Sequence, residues 1–518
     1  MKSNQSENHY DAIVIGSGMG GLTTASLLAQ LAGKRVLIVE RHFKLGGFTH
    51  SFRRKKYEWD AGVHYVGDMA PGSMTRSIMD MVTGKGVDWH RMNSPFERFM
   101  FPGETFDVSD DVAEFEANLV ERFPEEKINI RRYRRDVRKA QGRVARWFVS
   151  KQYGPLVSSL INLFGKSLPM MTTNEYLASM KDPLLRAILT AQWPDFGSPP
   201  SESAFGFHAT VTADFMKGGY YPIGGSKEIS ENVKKVIESN GGKCLVSHEV
   251  ESIDVVDGRA SGVTTIHKGK QTKFTAPIVI SNAGAVTTFG KLVPQGSCTK
   301  EREQLSRLKP GTSANILFLG LKDDPRNHGF DDCNYWLYSR LDHDVTARYR
   351  DGDPTRMDGG FISFGSLRNP GQEAHTAQII SFCSESDWSD FEEHSWMRRG
   401  NAYEERKAQI AEKMIDYVEE RLPGLRAIID YQELSTPYTI KSFTGHWQGC
   451  VYGQACDPNR LSRDQWSIGT SIPRLYMTGS DVGTPGVNGA MMAGVMTAAK
   501  IMGPLGLPKI MTKAMTNK

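Results

Sequence analysis

Apolar residues stand in short unbroken runs near the start of the chain: Ala12-Ile13-Val14-Ile15, then Val36-Leu37-Ile38-Val39 ending on Glu40. Runs of this length without polar alternation predict strands buried on both faces, the pattern of a parallel sheet covered by helices. Between them an apolar, small-residue stretch from Met19 to about Leu31 predicts a buried helix. Farther on, Ile229, Val233, Val236 and Ile237 recur at helical spacing and stop at Gly241-Gly242. Lys243–Val246 and Ala276–Ile280 read as strands, while Glu249–Val256 and Ala260–Ile266 flank Asp257-Gly258 as a hairpin. At the far end Leu475-Tyr476-Met477 predicts another buried strand, followed by a helix rich in small residues (Ala493, Gly494, Ala498, Ala499).

This order of elements predicts an α/β protein whose Rossmann-type sheet is assembled from three separated stretches, with an α+β substrate domain inserted between them. The stretches are 8–70, 219–295 and 471–505; the inserted domain takes 71–218 and 296–470, and 506–518 is a basic tail. No internal repeat is visible.

The turn after the first strand carries the chemistry. Gly16-Ser17-Gly18-Met19-Gly20-Gly21 holds a G-x-G-x-x-G run (Gly16, Gly18, Gly21), and Glu40 follows Gly21 by 19 residues. Gly16 permits the tight turn, Gly18 leaves room for a pyrophosphate beside the backbone, and Gly21 lets the helix pack close on the strand. The helix N-terminus offers free N–H groups and a positive dipole end to phosphates. Glu40 can accept both ribose hydroxyls, which argues against a 2′-phosphate and hence against NADP here. A glycine-rich turn in some other α/β protein is the competing reading, and the strand–turn–helix–strand–acid context speaks against it. Arg41 and the doublet Gly46-Gly47 follow directly. An NAD domain needs no glycine pair there, whereas the deeper-running FAD does. The predicted cofactor is FAD.

The matching half is Thr478-Gly479-Ser480-Asp481 with Gly486-Val487-Asn488-Gly489-Ala490. Glycines at that helix start admit a flat ring. The dipole favours negative charge on the N1/C2=O edge of a reduced flavin, by about 0.3–2 kcal/mol. Asp481 is placed to bond a ribityl or pyrophosphate-side hydroxyl.

Composition narrows the classes. The chain has 518 residues, 39% hydrophobic, with 51 glycines and a net charge of only +4, which gives no electrostatic case for nucleic acid. Six scattered cysteines without C-x-x-C spacing argue for a reducing compartment and against a metal site. Residues 1–10 are polar, without a signal-peptide core, and no run reaches the ~18 apolar residues of a spanning helix. The expectation is a cytoplasmic protein, soluble or peripheral on a membrane. One segment stands out: nine Lys/Arg and one acid fall between Arg131 and Lys151, then Trp147-Phe148-Val149 and the apolar 156–164. A basic helix followed by an apolar one suits in-plane docking on a bilayer, with a solvated basic helix as the alternative.

Together these motifs resemble the phytoene desaturase, carotene cis–trans isomerase and retinol saturase group of FAD proteins. The resemblance rests on the N-terminal fingerprint with Glu40 and Gly46-Gly47, on Trp59-Asp60-Ala61-Gly62-Val63-His64-Tyr65-Val66-Gly67, and on Tyr221-Pro222-Ile223-Gly224-Gly225. Ile280-Ser281-Asn282-Ala283 and the C-terminal motif complete it. His64-Tyr65, Ser435–Thr439 and Tyr452-Gly453 look most like the retinol saturase branch. The resemblance implies an amine-oxidase-like, two-domain fold with a mixed-sheet substrate domain. It also implies backbone contact of Val250 with adenine, and a long, apolar, polyunsaturated substrate: a carotenoid, retinoid, other isoprenoid or unsaturated acyl lipid. Saturation is slightly favoured over desaturation and redox-neutral isomerisation, and a non-enzymatic prenyl-lipid escort role is the remaining reading. Such chemistry needs a proton donor beside the flavin hydride. His64 and Tyr65, just past the first βαβ unit, are the leading candidates, followed by His446 and Tyr452. The electron partner is left open among a nicotinamide, a protein, a quinone and oxygen.

Overall fold

The computed structural model describes residues 8–150, 167–348, 353, 355–392, 397–461 and 466–516. Its nucleotide-binding half is a five-stranded parallel sheet built from β1 (Ala12–Ile15), β2 (Val36–Val39), β3 (Lys243–Leu245), β4 (Val279–Ser281) and β5 (Leu475–Met477), in the order β3-β2-β1-β4-β5. Four helices position the site: α1 (Met19–Ala32), α2 (Lys127–Ser150), α3 (Phe205–Phe215) and α4 (Gly486–Met502). The apolar runs divide by parity, as strand geometry demands. Ala12, Val14, Val36 and Ile38 face one core, and Ile13, Ile15, Leu37 and Val39 face the other. Both faces are therefore covered, and the sheet tolerates no polar residue along these strands.

Close helix approach sets the glycines. A Cβ on Gly21 would lie 2.4 Å from the Gly16 carbonyl oxygen, so the tight strand–helix packing predicted for this position is real. A Cβ on Gly494 in α4 would lie 2.6 Å from the carbonyl oxygen of Gly20, so α1 and α4 meet backbone to backbone.

The hairpin turns at Asp257 (φ 49°) and Gly258 (φ 70°), both left-handed as a two-residue turn of this type requires. A third strand, Lys270–Thr275, extends it to an antiparallel sheet. Its polar composition hides it from pattern reading, because only Phe274 of the strand is buried.

The other half is built on a seven-stranded sheet. Its order is Ile429–Ser435, Ser313–Leu321, Thr376–Cys383, Gly359–Ser363, Asn334–Tyr338, Glu97–Phe101 and Glu104–Val108. All neighbours are antiparallel except Asn334–Tyr338 beside Glu97–Phe101, so the sheet is mixed. Its aromatic core includes Phe96, Phe99, Trp336 and Phe361.

Two peripheral expectations change. The tail is the helix Gly506–Thr516, and its apolar residues Ile510 and Ala514 are buried in the core that also holds Leu22 and Met79. The basic segment is α2, which packs along α3 through Ile130, Tyr133, Val137, Ala140 and Val144. Phe148 is buried too, in van der Waals reach of a Cβ on Gly483, so it is not free to enter a bilayer. The apolar stretch 156–164, with Leu160 and Phe164, lies outside the described residues.

Candidate active site

A cleft of about 470 Å³ runs along the C-terminal ends of β1, β2 and β4. This is where an open α/β sheet binds its ligand. Of the thirteen residues expected to hold the cofactor, Gly16, Gly18, Gly20, Glu40, Arg41, Gly46, Gly47, Val250, Gly479, Asp481 and Val487 line it, while Gly21 and Asn488 do not. Glu40 is 8% exposed, and its Oε2 accepts from Ser17 N (2.8 Å) and Ser17 Oγ (2.7 Å). Its Oε1 accepts from His42 N at 2.7 Å. Ser17 Oγ also accepts from Gly46 N at 3.0 Å, so the acid, the glycine turn and the doublet are one hydrogen-bonded unit. An ionised carboxylate accepts about four bonds, which leaves Glu40 with capacity for a ribose hydroxyl.

The glycine at position 18 has a second reason to exist. Its Cβ would lie 2.8 Å from Asn282 Nδ2, so a side chain there meets the protein itself, whatever the cleft holds. A Cβ on Gly20 would stand 2.5 Å from Gly479 Cα, which locks the two halves of the site together. Asp481 Oδ2 accepts from Ala285 N at 2.7 Å. Arg41 lines the cleft, and its guanidinium donates to the carbonyls of Lys441 (3.1 Å) and Ser442 (2.8 Å). Asn488 is an anchor: its Nδ2 donates to Gly67 O at 2.9 Å and Asp214 Oδ2 at 3.4 Å.

His446 and Tyr452 line the cleft; His64 and Tyr65 do not. His446 Nδ1 is 2.9 Å from the Cys450 carbonyl, which only accepts, so Nδ1 carries the hydrogen and Nε2 is left as an acceptor. The His64 ring packs on Phe361 at 5.1 Å, and its carbonyl takes a 2.8 Å bond from Arg368. Burial, then the Arg368 charge, lowers its imidazole to about 3. That removes an imidazolium at this position as a proton source near neutral pH. Tyr65 stacks on Phe215 at 4.2 Å and turns its hydroxyl to Glu97 and Asp195. The Asp60 of the same motif is a buried joint: its carboxylate accepts from Ser51 Oγ, Tyr221 Oη and Ser226 N, tying together two of the recognised motifs.

The sequence profile of the flavin-containing amine oxidoreductases matches residues 19–502. This chain belongs to that family. It is 30% identical to the all-trans-retinol 13,14-reductase of Rattus norvegicus, over 95% of this chain and 85% of that protein. It is 27% identical to the chloroplastic prolycopene isomerase of Daucus carota, over 96% and 81% of the two chains. A crystal structure of an oxidoreductase from Methanosarcina mazei superposes with a TM-score of 0.63 at 17% identity, covering 95% of this chain and all of that one, which shows the shared fold. As a flavin-containing amine oxidoreductase the chain uses FAD, and the cleft fits it. Glycine backbone lines the cleft's length, an acid at the end of β2 keeps acceptor capacity, and the N-terminus of α4 opens into it through Gly486 and Val487. Held there by these residues, a flavin would supply hydride transfer chemistry.

Glu97, Gln192, Asp195 and Arg368, which surround the Tyr65 hydroxyl or its partners, escaped the sequence reading. Glu97 had one available signal, an acid at an inward position of an alternating strand with Phe99 and Phe101. Asp195 had none.

Proposed function

We propose that this protein is an FAD-dependent reductase that saturates a carbon–carbon double bond of a long lipophilic polyene. The observation that carries the reading is the similarity to an all-trans-retinol 13,14-reductase along 95% of this chain. Aromatic side chains at the cleft, among them Phe48, Trp447 and Tyr452, suit an apolar conjugated ligand. In this reading Glu40 and Ser17 hold the ribose end of FAD, Val250 borders the adenine, and Gly18, Gly46 and Gly47 flank the pyrophosphate. Asp481 takes a hydroxyl on the ribityl side. Isomerisation without net redox change is the second reading, favoured by the likeness to prolycopene isomerase. Flavin-loaded protein, photoreduced without oxygen and mixed with all-trans-retinol or prolycopene, separates them. Reduction adds two hydrogens to the product and reoxidises the flavin, isomerisation does neither, and a product short of two hydrogens from the oxidised enzyme marks a desaturase. Flavin that stays reduced with every polyene refutes the proposal.

We also propose that the outer face of α2 rests on an anionic bilayer from which the substrate enters. Arg138, Lys139 and Arg146 are exposed there, as is Arg135 beside its partner Asp136, whereas Arg131 and Arg134 pair with Glu116. Among the described residues no helix is long and apolar enough to cross a membrane.

A further inference from the structure

Behind Tyr65 lies a buried polar knot that the flavin site does not explain. The Tyr65 hydroxyl oxygen is 2.5 Å from Glu97 Oε1 and 2.6 Å from Asp195 Oδ2. A phenol has one proton to donate. It serves one carboxylate, so the second short contact needs a proton from a carboxylic acid, and one of the two acids is neutral.

The surroundings decide which. Glu97 is completely buried, and both of its oxygens are met by further donors, Trp336 Nε1 at 3.0 Å and Gln192 Nε2 at 2.6 Å. The buried Arg368 guanidinium also acts on it favourably. Donors and a cation stabilise the charged form. Among the described residues the Asp195 carboxylate bonds to one side chain, that of Tyr65, and Asp195 keeps some accessible surface. Glu97 is therefore the anion, and Asp195 the neutral acid.

Asp195 does not line the flavin cleft but stands behind its wall at Tyr452. Two residues beyond Asp195, a Cβ on Gly197 would lie 3.1 Å from the ring of Tyr452, which lines the cleft. The charge of Asp195 is felt by Tyr338 and Tyr452. The titratable groups facing Asp195 are thus Tyr65, Glu97, Tyr338 and Tyr452, with Arg368 behind Glu97.

We propose that Asp195 is the residue that protonates the alkene, with Tyr65 and Glu97 as positioning residues that keep the proton on it. The inference rests on the reductase reading above. The step balances: the π bond of the C=C opens, one carbon takes the hydride equivalent supplied by reduced flavin, and the other takes the proton of the Asp195 carboxyl. Asp195 is left as a carboxylate and the flavin oxidised. Both acids are then charged, the Tyr65 phenol donates to only one of them, and solvent returns the proton to Asp195. Burial pushes the Asp195 carboxyl up to about 7, so the neutral form persists to near-neutral pH. It raises Glu97 to about 8, with the Asp195 charge the second cause, so the assignment of the shared proton to Asp195 rests on the donors that surround Glu97.

The test uses the holoenzyme reduced anaerobically, with all-trans-retinol as the probe, followed by flavin reoxidation in single turnovers across pH. The wild-type rate should fall as pH rises through neutrality. Asp195→Asn should keep its flavin, lose roughly 10²–10⁴-fold in rate, and lose that limb of the profile. Asp195→Glu should recover part of the rate. Glu97→Gln, which removes the neighbouring negative charge, should move the limb to lower pH, a change that a purely structural role would not produce. An independent readout needs no turnover: the infrared carbonyl band of a neutral carboxylic acid at neutral pH should vanish in Asp195→Asn, with or without flavin. Asp195→Asn with the wild-type rate, or with a slower rate and an unchanged limb, overturns the proposal, as does a wild-type spectrum without that band. If wild-type flavin is not reoxidised at all, the reductase reading falls and the donor role falls with it, while the infrared band still decides whether Asp195 holds the proton.

Discussion

Glu40→Gln separates what the acid does for the protein from what it does for the cofactor. The carboxylate accepts three short bonds, two on Oε2 from Ser17 and one on Oε1 from His42 N. A glutamine of the same shape keeps its oxygen on the Ser17 side, where two donors converge, and its NH2 then faces the His42 N–H. That leaves a nearly buried donor without an acceptor, at about 1–3 kcal/mol. Flavin-free Glu40→Gln should therefore unfold at a lower urea concentration than flavin-free wild type. The cofactor term is distinct. Bonds to a charged acceptor contribute roughly 1.5–3 kcal/mol and neutral ones about 0.5–1.5, so each ribose hydroxyl bond loses about 1–1.5 kcal/mol. FAD affinity should fall roughly five- to tenfold per bond. Calorimetric titration of both apoproteins with FAD measures this directly. A variant destabilised without flavin that still binds FAD as tightly as wild type would reduce Glu40 to a brace for the Ser17–His42 loop and remove it from the cofactor site.

Three further outcomes follow from local geometry. Gly20→Ala should lower stability by about 1–3 kcal/mol and deplete bound flavin, because the new Cβ meets Gly479 Cα at 2.5 Å. A gain in melting temperature, the usual effect of alanine inside a helix, would refute that contact. Burial lowers His208 to about 3, against about 6.5 in an unfolded chain, so the unfolded state binds the extra proton between those values. Stability from this group is full above the unfolded value and drains as pH falls towards 3, and urea midpoints measured from pH 7 to 4 should fall less steeply in His208→Gln. Charge reversal at Arg135, Arg138, Lys139 and Arg146 should weaken co-sedimentation with anionic vesicles by about 1 kcal/mol per residue. Binding that is equal for neutral and anionic vesicles would leave α2 a solvated face.

The flavin half was legible because backbone necessity writes it into composition. A parallel strand buried on both faces admits only apolar residues, so β1 and β2 announce themselves. Close approach of α1 to β1 and of α4 to α1 admits only glycine at Gly21 and Gly494. The seven-stranded sheet was less so, since its strands come from 97–108 and 313–435 and pair across long separations that no local pattern records. The reactive knot was least legible of all. Tyr65 was visible beside a recognised motif, but its partners Glu97 and Asp195 are 32 and 130 residues away, and neither carries a spacing that points to the other. His64 illustrates the converse: sequence gives a histidine its usual range near neutrality, and only the fold shows the burial and the Arg368 charge that take it away. A glycine motif reports a constraint on the main chain at one place. A proton donor is a property of an environment, and here that environment is assembled from the Glu97 strand, the short helical turn ending at Asp195 and the loop bearing Tyr65. The acid that chemistry requires is therefore to be sought where two carboxylates share one proton, not where a residue of suitable intrinsic pKa happens to follow a motif.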